Sequence, residues 1–251
     1  MFVPQILRFE SLPSTNVEAA RLAGEGAAEG SCVVAREQTA GRGRLQRHWI
    51  SPKDAGLYFS ILLRPQFQQS DWPLLTLAAA VAAHDAVLDA CGVESDIKWP
   101  NDLLVNEKKI CGILAETVET PSGRALVVGI GINLTRHSFP ETLTLEATSV
   151  ETVTGRTAQL EVLLAALIAA LGKYYAALTA PRGHETIIEA WGKRSTYLEG
   201  KVVRVVEQGG DSFVGTTRGL ERDGALRVET SDAKIRLVRA GDVTSLRTDH
   251  A

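Results

Sequence analysis

The sequence is poor in cysteine and has no large excess of either charge. Its three cysteines, Cys32, Cys91 and Cys111, are an odd number at wide spacing and include no Cys-x-x-Cys pair. Such usage fits a reducing compartment better than a disulfide framework, so we expect a cytoplasmic protein. The formal net charge of −3 gives no overall attraction to nucleic acid or to an anionic membrane. Any phosphate must therefore be attracted by a local cluster of Lys and Arg.

Long apolar runs are also lacking. The N-terminus has no basic region followed by an apolar stretch and a cleavage site, so it does not resemble a signal peptide. The most apolar window, residues 160–178, is interrupted by Glu161, Gly172 and Lys173. It falls short of the roughly 20 apolar residues that a membrane span needs, and we expect no membrane anchor. A composition that is 45% hydrophobic and 23% charged is that of an ordinary globular protein.

Three kinds of site lack their usual pattern. The five histidines are scattered without ligand spacing, so a structural metal is not expected. Gly129-x-Gly131 lacks the third glycine and the following acidic residue of a dinucleotide fingerprint, which argues against a Rossmann site. Cys111 has no accompanying His or Asp pattern, and we interpret it as a small buried residue.

Strand-like segments and a few long helices alternate irregularly along residues 1–195. Pro73 at the first turn and Gly92 after the end predict a long helix over residues 73–90. The hairpin-like strands that follow predict a mixed or antiparallel sheet with packed helices, which is an α+β domain and not a regular βαβ wind. From about Tyr197, short β-type runs with turns such as Gly209-Gly210 predict a small β-barrel. We therefore expect two domains, residues 1–195 and 196–251.

Residues 41–49 form a basic, glycine-rich segment that we call the arginine loop. It places three arginines among glycines and ends on Trp49. Glycine lets the backbone approach an anion, arginine supplies paired donors, and tryptophan can cover a flat ring. The pattern is typical of a nucleotide-handling loop, but a solvated loop or an RNA-contacting Arg/Gly segment fits it as well. Because the loop has no apolar anchors, we expect a lid that is mobile when empty and ordered by ligand.

Two further segments are rich in chemically diverse side chains. Residues 98–102 pack a cation, an aromatic ring, an amide and a carboxylate around Pro100, which indicates a site. The alternative is a strand end capped by an Asx-turn. Residues 14–16, Ser-Thr-Asn, open a predicted helix, and Thr15-x-x-Glu18 is also a good capping box, so Thr15 serves either a ligand or the helix.

The order and separation of these segments resemble the biotin protein ligase family. Lys109 to Glu116 and Gly129 to Leu134 extend the resemblance, and residues 215–247 resemble the small C-terminal domain of that family. It implies a class II synthetase-like, biotin–lipoate ligase catalytic domain followed by an SH3-like β-barrel. Many members carry an N-terminal helix-turn-helix domain. Here the catalytic domain begins within the first ten residues, so we expect the short form and no direct repression of DNA.

The resemblance implies an ATP-dependent ligase. The biotin carboxylate attacks the α-phosphate of ATP, pyrophosphate leaves, and a lysine of a biotin carboxyl carrier protein or domain then attacks the biotinyl-5′-AMP. Two anions meet in the first step, so cationic side chains and Mg²⁺ are required on electrostatic grounds. ATP and Mg²⁺ are thus the implied cofactors and biotin the substrate. An exposed sheet edge in this family is compatible with a homodimer.

Carried over position by position, the resemblance also assigns side chains to each substrate. The implied biotin contacts are Ser14, Thr15, Asn16, Gln38, Arg42, Gly43, Arg44, Lys109 and Gly112. The implied ATP or adenylate contacts are Arg44, Arg47, Trp49, Asn101, Lys109 and Asn133. Lys109, with Arg42 and Arg44, is the expected source of catalytic charge. Asp102 either helps to hold Mg²⁺ or fixes a neighbouring cation.

Two alternative functions remain at this point. A lipoate or octanoate protein ligase or transferase is related in fold and also acylates a carrier lysine, although the arginine loop and residues 98–102 favour biotin. A nucleic-acid or protein-interaction module on the C-terminal barrel belongs to another class. It would need a broad basic face, whereas residues 207–242 mix acidic with basic side chains. We expect no nucleic-acid partner.

Overall fold

In the computed structural model, which describes residues 2–207 and 210–246, the N-terminal part of the chain builds one sheet with helices on both faces. Its strands are β1 (Gln5–Phe9), β2 (Ser31–Ala35), β3 (Gly56–Leu63), β4 (Asp96–Lys98), β5 (Asp102–Val105), β6 (Lys108–Thr120) and β7 (Gly123–Asn133). Its helices are α1 (Thr15–Gly24), α2 (Pro73–Cys91), α3 (Val150–Thr154), α4 (Leu160–Thr179) and α5 (Gly183–Gly192). The short helix α3 is the one element of this group that the sequence does not predict.

The sheet is mixed but mainly antiparallel. Its strand order is β1-β2-β3-β7-β6-β5-β4. The β1–β2 pair is parallel, and the other neighbours are antiparallel. The long β6–β7 hairpin crosses the middle of the sheet and places Gly112 opposite Gly131. The predicted α+β class with packed helices is confirmed.

The two faces of the sheet support cores of different size. The larger core contains α2, which is apolar around its circumference because it lies between the sheet and helices α4 and α5. Pro73 occupies the first turn of α2, and Gly92 ends it with a left-handed φ of 66°, as predicted. On the other face, α1 packs Ala19 and Ala23 against a smaller apolar patch of the sheet.

Two helical segments, Gln69–Cys91 and Leu160–Thr179, are long and apolar enough to cross a membrane by length and composition alone. Leu160–Thr179 therefore has the length and apolar character of a membrane span despite its interrupting residues. The expectation that this window falls short of such a span was wrong. The apolar window of the first segment is 67% buried inside the protein and that of the second is 39% buried. Helices α2 and α4 pack against each other in the larger core.

The C-terminal part folds into a separate sheet of strands β8 (Glu199–Glu207), β9 (Ser212–Leu220), β10 (Leu226–Thr230), β11 (Ile235–Val238) and β12 (Gly241–Ser245). The order is β11-β10-β9-β8-β12. The two edge strands, β11 and β12, are joined only by residues 239–240. This connection can span at most roughly 11 Å. The edges of a flat sheet of this width would be about 19 Å apart. The sheet must therefore curl, which confirms the predicted barrel. Gly209 of the predicted turn and residues 247–251 of the predicted domain lie outside the described residues.

The two parts of the chain are joined by buried hydrogen bonds. Helix α5 ends at Gly192 and β8 begins at Glu199, so the boundary predicted between residues 195 and 196 falls between them and stays a prediction. The indole Nε1 of Trp99, a side chain only 2% exposed, donates a 3.0 Å hydrogen bond to the Gly224 carbonyl in the β9–β10 turn. Trp99 therefore connects the larger sheet to the barrel.

Replacing Trp99 by Phe keeps an aromatic ring in place but removes this donor. The Gly224 carbonyl would lose its buried partner, so we expect the free energy of unfolding to fall by about 1–3 kcal/mol, measured by urea denaturation and circular dichroism. Trp72→Phe is the matched control, because the Trp72 indole makes a longer bond of 3.4 Å to the Phe67 carbonyl within the N-terminal part of the chain. Equal losses in both variants would contradict a special role for the Trp99 bond.

Candidate active site

A cavity of about 370 Å³ opens above the middle of the larger sheet. The start of α1, the arginine loop, strands β5 to β7, residues 138–147 and one residue of the barrel supply its walls. Every side chain assigned to a substrate by the sequence lines it: Ser14, Thr15, Asn16, Gln38, Arg42, Gly43, Arg44, Arg47, Trp49, Asn101, Asp102, Lys109, Gly112 and Asn133. The fold thus brings distant segments into one site.

Glycines make the floor of this cavity. A Cβ atom on Gly131 would lie 2.5 Å from Trp49 Nε1, and one on Gly129 would lie 2.0 Å from Asn16 Oδ1. A Cβ on Gly112 would be 3.0 Å from both the Trp49 ring and the Lys109 side chain. The indole and the amide therefore lie directly on the strand backbones. Close approach of these groups explains the Gly-x-Gly pattern.

An uncharged group of polar side chains occupies one end of the cavity: Thr15, Asn16 and Gln38 line it, and the buried Ser60 contacts the first two from outside the cavity. We call these four residues the inner polar cluster. The backbone N–H and hydroxyl of Thr15 both donate to Gln38 Oε1, at 2.8 and 3.1 Å. Ser60 Oγ lies 2.8 Å from Thr15 Oγ1 and 2.6 Å from Asn16 Oδ1. Ser60 is fully buried and was not predicted, since nothing in its local sequence marks it.

The alternative role of Thr15 as a helix cap is wrong. Ser14, with extended backbone angles, holds the N-cap position of α1, and its side chain makes no capping hydrogen bond. Glu18 pairs instead with Arg21 on the next turn, and the Thr15 hydroxyl faces Gln38. The Ser-Thr-Asn segment therefore contributes to the cavity.

A buried carboxylate organises the opposite end. Asp102 Oδ1 lies 2.6 Å from Lys109 Nζ, and its Oδ2 lies 3.6 Å from Lys98 Nζ. Lys109 Nζ also lies 5.4 Å from the centre of the Trp49 ring, within range of a cation–π interaction. Lys98 is on the outer side of Asp102 and does not line the cavity. Of the two roles left open for Asp102, this geometry favours holding the cations.

The arginine loop is attached to both domains. Arg44 donates to Asn101 Oδ1 and to the Gly241 carbonyl, each at 3.1 Å. Asp242 in the barrel forms an ion pair with Arg47 and lies 3.7 Å from Arg44. Burial lowers the pKa of the Arg44 guanidinium from its ordinary value, against the attraction of Asp242. Nothing in the sequence marks Asp242, because only the tertiary fold brings the barrel to this loop.

The remaining wall was also missed by the sequence argument. Phe139, Leu143 and Ala147 line the cavity from the segment after β7. Backbone hydrogen bonds of 2.8 and 2.9 Å join Lys109 to Glu146 and Thr148, which fixes this segment beside β6. Apolar side chains at this position offer a surface for a flat ring next to Trp49.

Cys111 is fully buried, and this burial raises the pKa of its thiol far above the ordinary range, in keeping with an unreactive core residue. Across residues 2–207 and 210–246, no group of three or more His, Cys, Asp or Glu side chains is arranged to hold a metal ion.

Comparison with known proteins decides the family. The model of the biotin/lipoate A/B protein ligase family matches residues 8–133, and that of the biotin protein ligase C-terminal domain matches residues 200–244. The chain belongs to the biotin/lipoate A/B protein ligase family. This ligase thus has the two-part organisation that the resemblance implies.

Individual relatives agree along most of this ligase. It is 37% identical over 220 residues to a biotin–[acetyl-CoA-carboxylase] ligase of Paracoccus denitrificans, covering 85% of this chain and 89% of that one. It is 34% identical over 241 residues to the bifunctional ligase/repressor BirA of Bacillus subtilis, covering 95% and 73%. A structure of the Aquifex aeolicus biotin protein ligase with biotin and ATP superimposes with a TM-score of 0.83 at 27% identity, covering 97% and 99%. The enzyme class predicted from the sequence is confirmed.

Gly129→Ala tests the glycine floor. The added Cβ would meet the Asn16 amide at 2.0 Å, so we expect displacement of Asn16 and a loss of about 1–3 kcal/mol in the free energy of unfolding. Gly172→Ala in α4 is the control, since its Cβ would make only an ordinary 3.8 Å contact with Phe2. There alanine should be neutral or stabilising, by up to about 1 kcal/mol. Chemical denaturation of both variants measures this, and an unchanged Gly129→Ala protein would contradict the packing described.

Proposed function

We propose that this ligase forms biotinyl-5′-AMP in the cavity described above and transfers biotin to a lysine of a biotin carboxyl carrier protein or domain. The observation that carries the proposal is the polarity of one continuous cavity. Its inner polar cluster is uncharged, whereas its other end holds Lys109 and the arginine loop. That arrangement suits a substrate with a neutral polar ring and an ionised carboxylate.

The ureido ring of biotin would lie against the inner polar cluster, which offers both hydrogen-bond donors and acceptors. The rings would lie in the cavity beside Trp49, Arg42 and Gly43. A lipoyl dithiolane or an octanoyl chain has no polar atoms to match Thr15 and Gln38. The cavity therefore favours biotin over those alternatives.

Adenylation needs positive charge where two anions meet. Lys109 would lie between the biotin carboxylate and the α-phosphate, and Arg44 and Arg47 would neutralise the growing phosphoryl charge. Asp102 and Asp242 pair with these cations before substrate binds. Anionic oxygens of ATP would compete for the same guanidinium and ammonium groups, which supports binding of substrate to a preformed cationic site.

The adenine would lie between Trp49 and the segment containing Phe139 and Leu143, with Asn101 and Asn133 near the ribose and phosphates. Mg²⁺ would enter with the triphosphate, because this ion is commonly held by substrate phosphates and one or two carboxylates. Asp102 is the carboxylate at hand, but both of its oxygens face lysines, which supports a primary role in holding Lys109.

Three further features of the chain bear on its setting. Beyond Gly112, the described part of β6 pairs with β7 on one side and has no strand on the other, which supports a homodimer formed through this edge. Cys32, Cys91 and Cys111 are all free thiols, in keeping with a cytoplasmic location. Basic side chains of the barrel pair with acidic ones, as in Arg218–Glu229 and Arg236–Glu207, so they offer little attraction to nucleic acid.

Pyrophosphate exchange tests the substrate directly. Purified protein with Mg²⁺-ATP should exchange pyrophosphate into ATP when biotin is added, and far more slowly with lipoate or octanoate at the same concentration. Exchange with lipoate or octanoate but not with biotin would overturn the proposed substrate. A second reaction with a biotin carboxyl carrier domain should then show biotin on its lysine by mass spectrometry.

Lys109→Ala should lower the rate of adenylate formation by at least about 100-fold, because it removes the cation nearest the reacting anions. Lys108→Ala is the matched control. Its ammonium donates to the Thr144 carbonyl outside the cavity, so its rate should stay within about twofold of the native protein. Near-normal exchange by a folded Lys109→Ala protein would show that another cation performs this role.

A further inference from the structure

The carboxylate of Glu116 joins two parts of the active site, although the sequence assigned no role to this residue. Its Oε2 accepts a 2.8 Å hydrogen bond from the Asn16 amide in the inner polar cluster. Its Oε1 accepts a 2.8 Å hydrogen bond from Arg42, at the start of the arginine loop. One side chain on β6 thus contacts the ring end of the cavity and the loop that covers it.

Asn16 is fixed on every side. Its amide nitrogen donates to the Leu114 carbonyl at 3.2 Å as well as to Glu116, and its oxygen lies 2.6 Å from Ser60 Oγ. The residue is only 5% exposed, and it rests on Gly129. Any shift of this amide must therefore move the Glu116 carboxylate or break a buried hydrogen bond.

The inner polar cluster also reaches the far end of the arginine loop. Gln38 Nε2 donates to Ser51 Oγ at 2.8 Å, and Ser51 Oγ donates to the Trp49 carbonyl at 3.2 Å. The loop is therefore connected to the same cluster at Arg42 through Glu116 and at Trp49 through Ser51. Further ordering of the inner polar cluster should therefore restrain both ends of the arginine loop.

The Arg42–Glu116 contact is suited to a reversible step. The side chains of Arg42 and Glu116 are 50% and 27% exposed, so water screens their attraction. Exposed ion pairs of this kind change an equilibrium by up to roughly fivefold. Such a contact biases the loop toward closure and still permits it to open when substrate enters or product leaves.

We propose that Glu116 is a positioning residue that links filling of the ring end of the cavity to closure of the arginine loop over the adenylate. The inference rests on the proposed function. A ureido ring hydrogen-bonded to the inner polar cluster adds a further contact that holds Asn16 in place, and Asn16 holds the Glu116 carboxylate. That carboxylate then holds Arg42 in the closed position, which keeps the reactive anhydride from solvent.

A double-mutant cycle tests this link. Glu116→Gln keeps the size of the side chain and one oxygen acceptor but removes the charge that attracts Arg42. We measure the escaped adenylate per adenylate formed, as biotin transferred to lysines of added serum albumin relative to pyrophosphate released. Glu116→Gln and Arg42→Gln should each raise this ratio by about two- to fivefold, and the double variant by no more than the larger single effect.

The matched control is Glu119→Gln. Glu119 is on the same strand and pairs with the exposed Arg124, away from the loop. The ratio of escaped adenylate to adenylate formed should be the same in Glu119→Gln as in the native protein. If Glu116 only supported the local fold, the effect of Glu116→Gln on this ratio would multiply with that of Arg42→Gln in the double variant. That outcome would overturn the proposal. So would equal ratios in Glu116→Gln and Glu119→Gln.

Protection of the loop from trypsin gives a second readout that needs no turnover. Biotin should slow cleavage at the loop arginines of the native protein, and should slow it less in folded Glu116→Gln. Trypsin can still cleave the Arg42→Gln variant after Arg44 and Arg47. This variant therefore tests the same contact by removing its more exposed partner. Equal protection in all three would overturn the inference while leaving the proposed function intact. A native protein that neither exchanges pyrophosphate with biotin nor is protected by it would overturn the proposed function itself.

Discussion

The active site depends on the close approach of side chains to a strip of bare strand backbone. Gly112, Gly129 and Gly131 lie at the middle of the sheet, where side chains would otherwise fill the space above it. Their hydrogen atoms allow the Trp49 indole and the Asn16 amide to lie directly on β6 and β7. The cavity thus lies over the middle of the sheet, and the flanking loops cover it.

Electrostatics follows from the same arrangement. The cavity collects cations over an apolar sheet, where an unpaired charge would be costly. Protein carboxylates therefore pair with them: Asp102 with Lys109, Asp242 with Arg47, and Glu116 with Arg42. These acids come from β5, the barrel and β6, so each cation is held by a different part of the molecule. Under the proposed function, anionic oxygens of the substrate would take the place of Asp102 and Asp242, whereas Glu116 would keep its contact with Arg42.

Much of the architecture and most of the cavity could be predicted from the sequence. Pro73 and Gly92 mark the ends of α2, because proline fits a first helical turn and glycine adopts the left-handed angle at its end. Segments 14–16, 41–49 and 98–102 carry local patterns dense enough to assign, and all of them meet in one cavity. Ser60, Glu116 and Asp242 could not be found in this way. Each is an ordinary strand residue whose importance comes from a partner far away in the chain.

The sequence by itself determined the kind of chemistry, because the order and separation of its motifs resemble the biotin protein ligase family. It also determined the class of fold, through helix ends and turn residues that act locally. The tertiary structure alone decided which cations Asp102 contacts, why β7 has its glycines, and which acids contact the loop. The physical reason is that hydrogen bonds and ion pairs act over a few ångströms, while their partners here are as many as 197 residues apart in the chain.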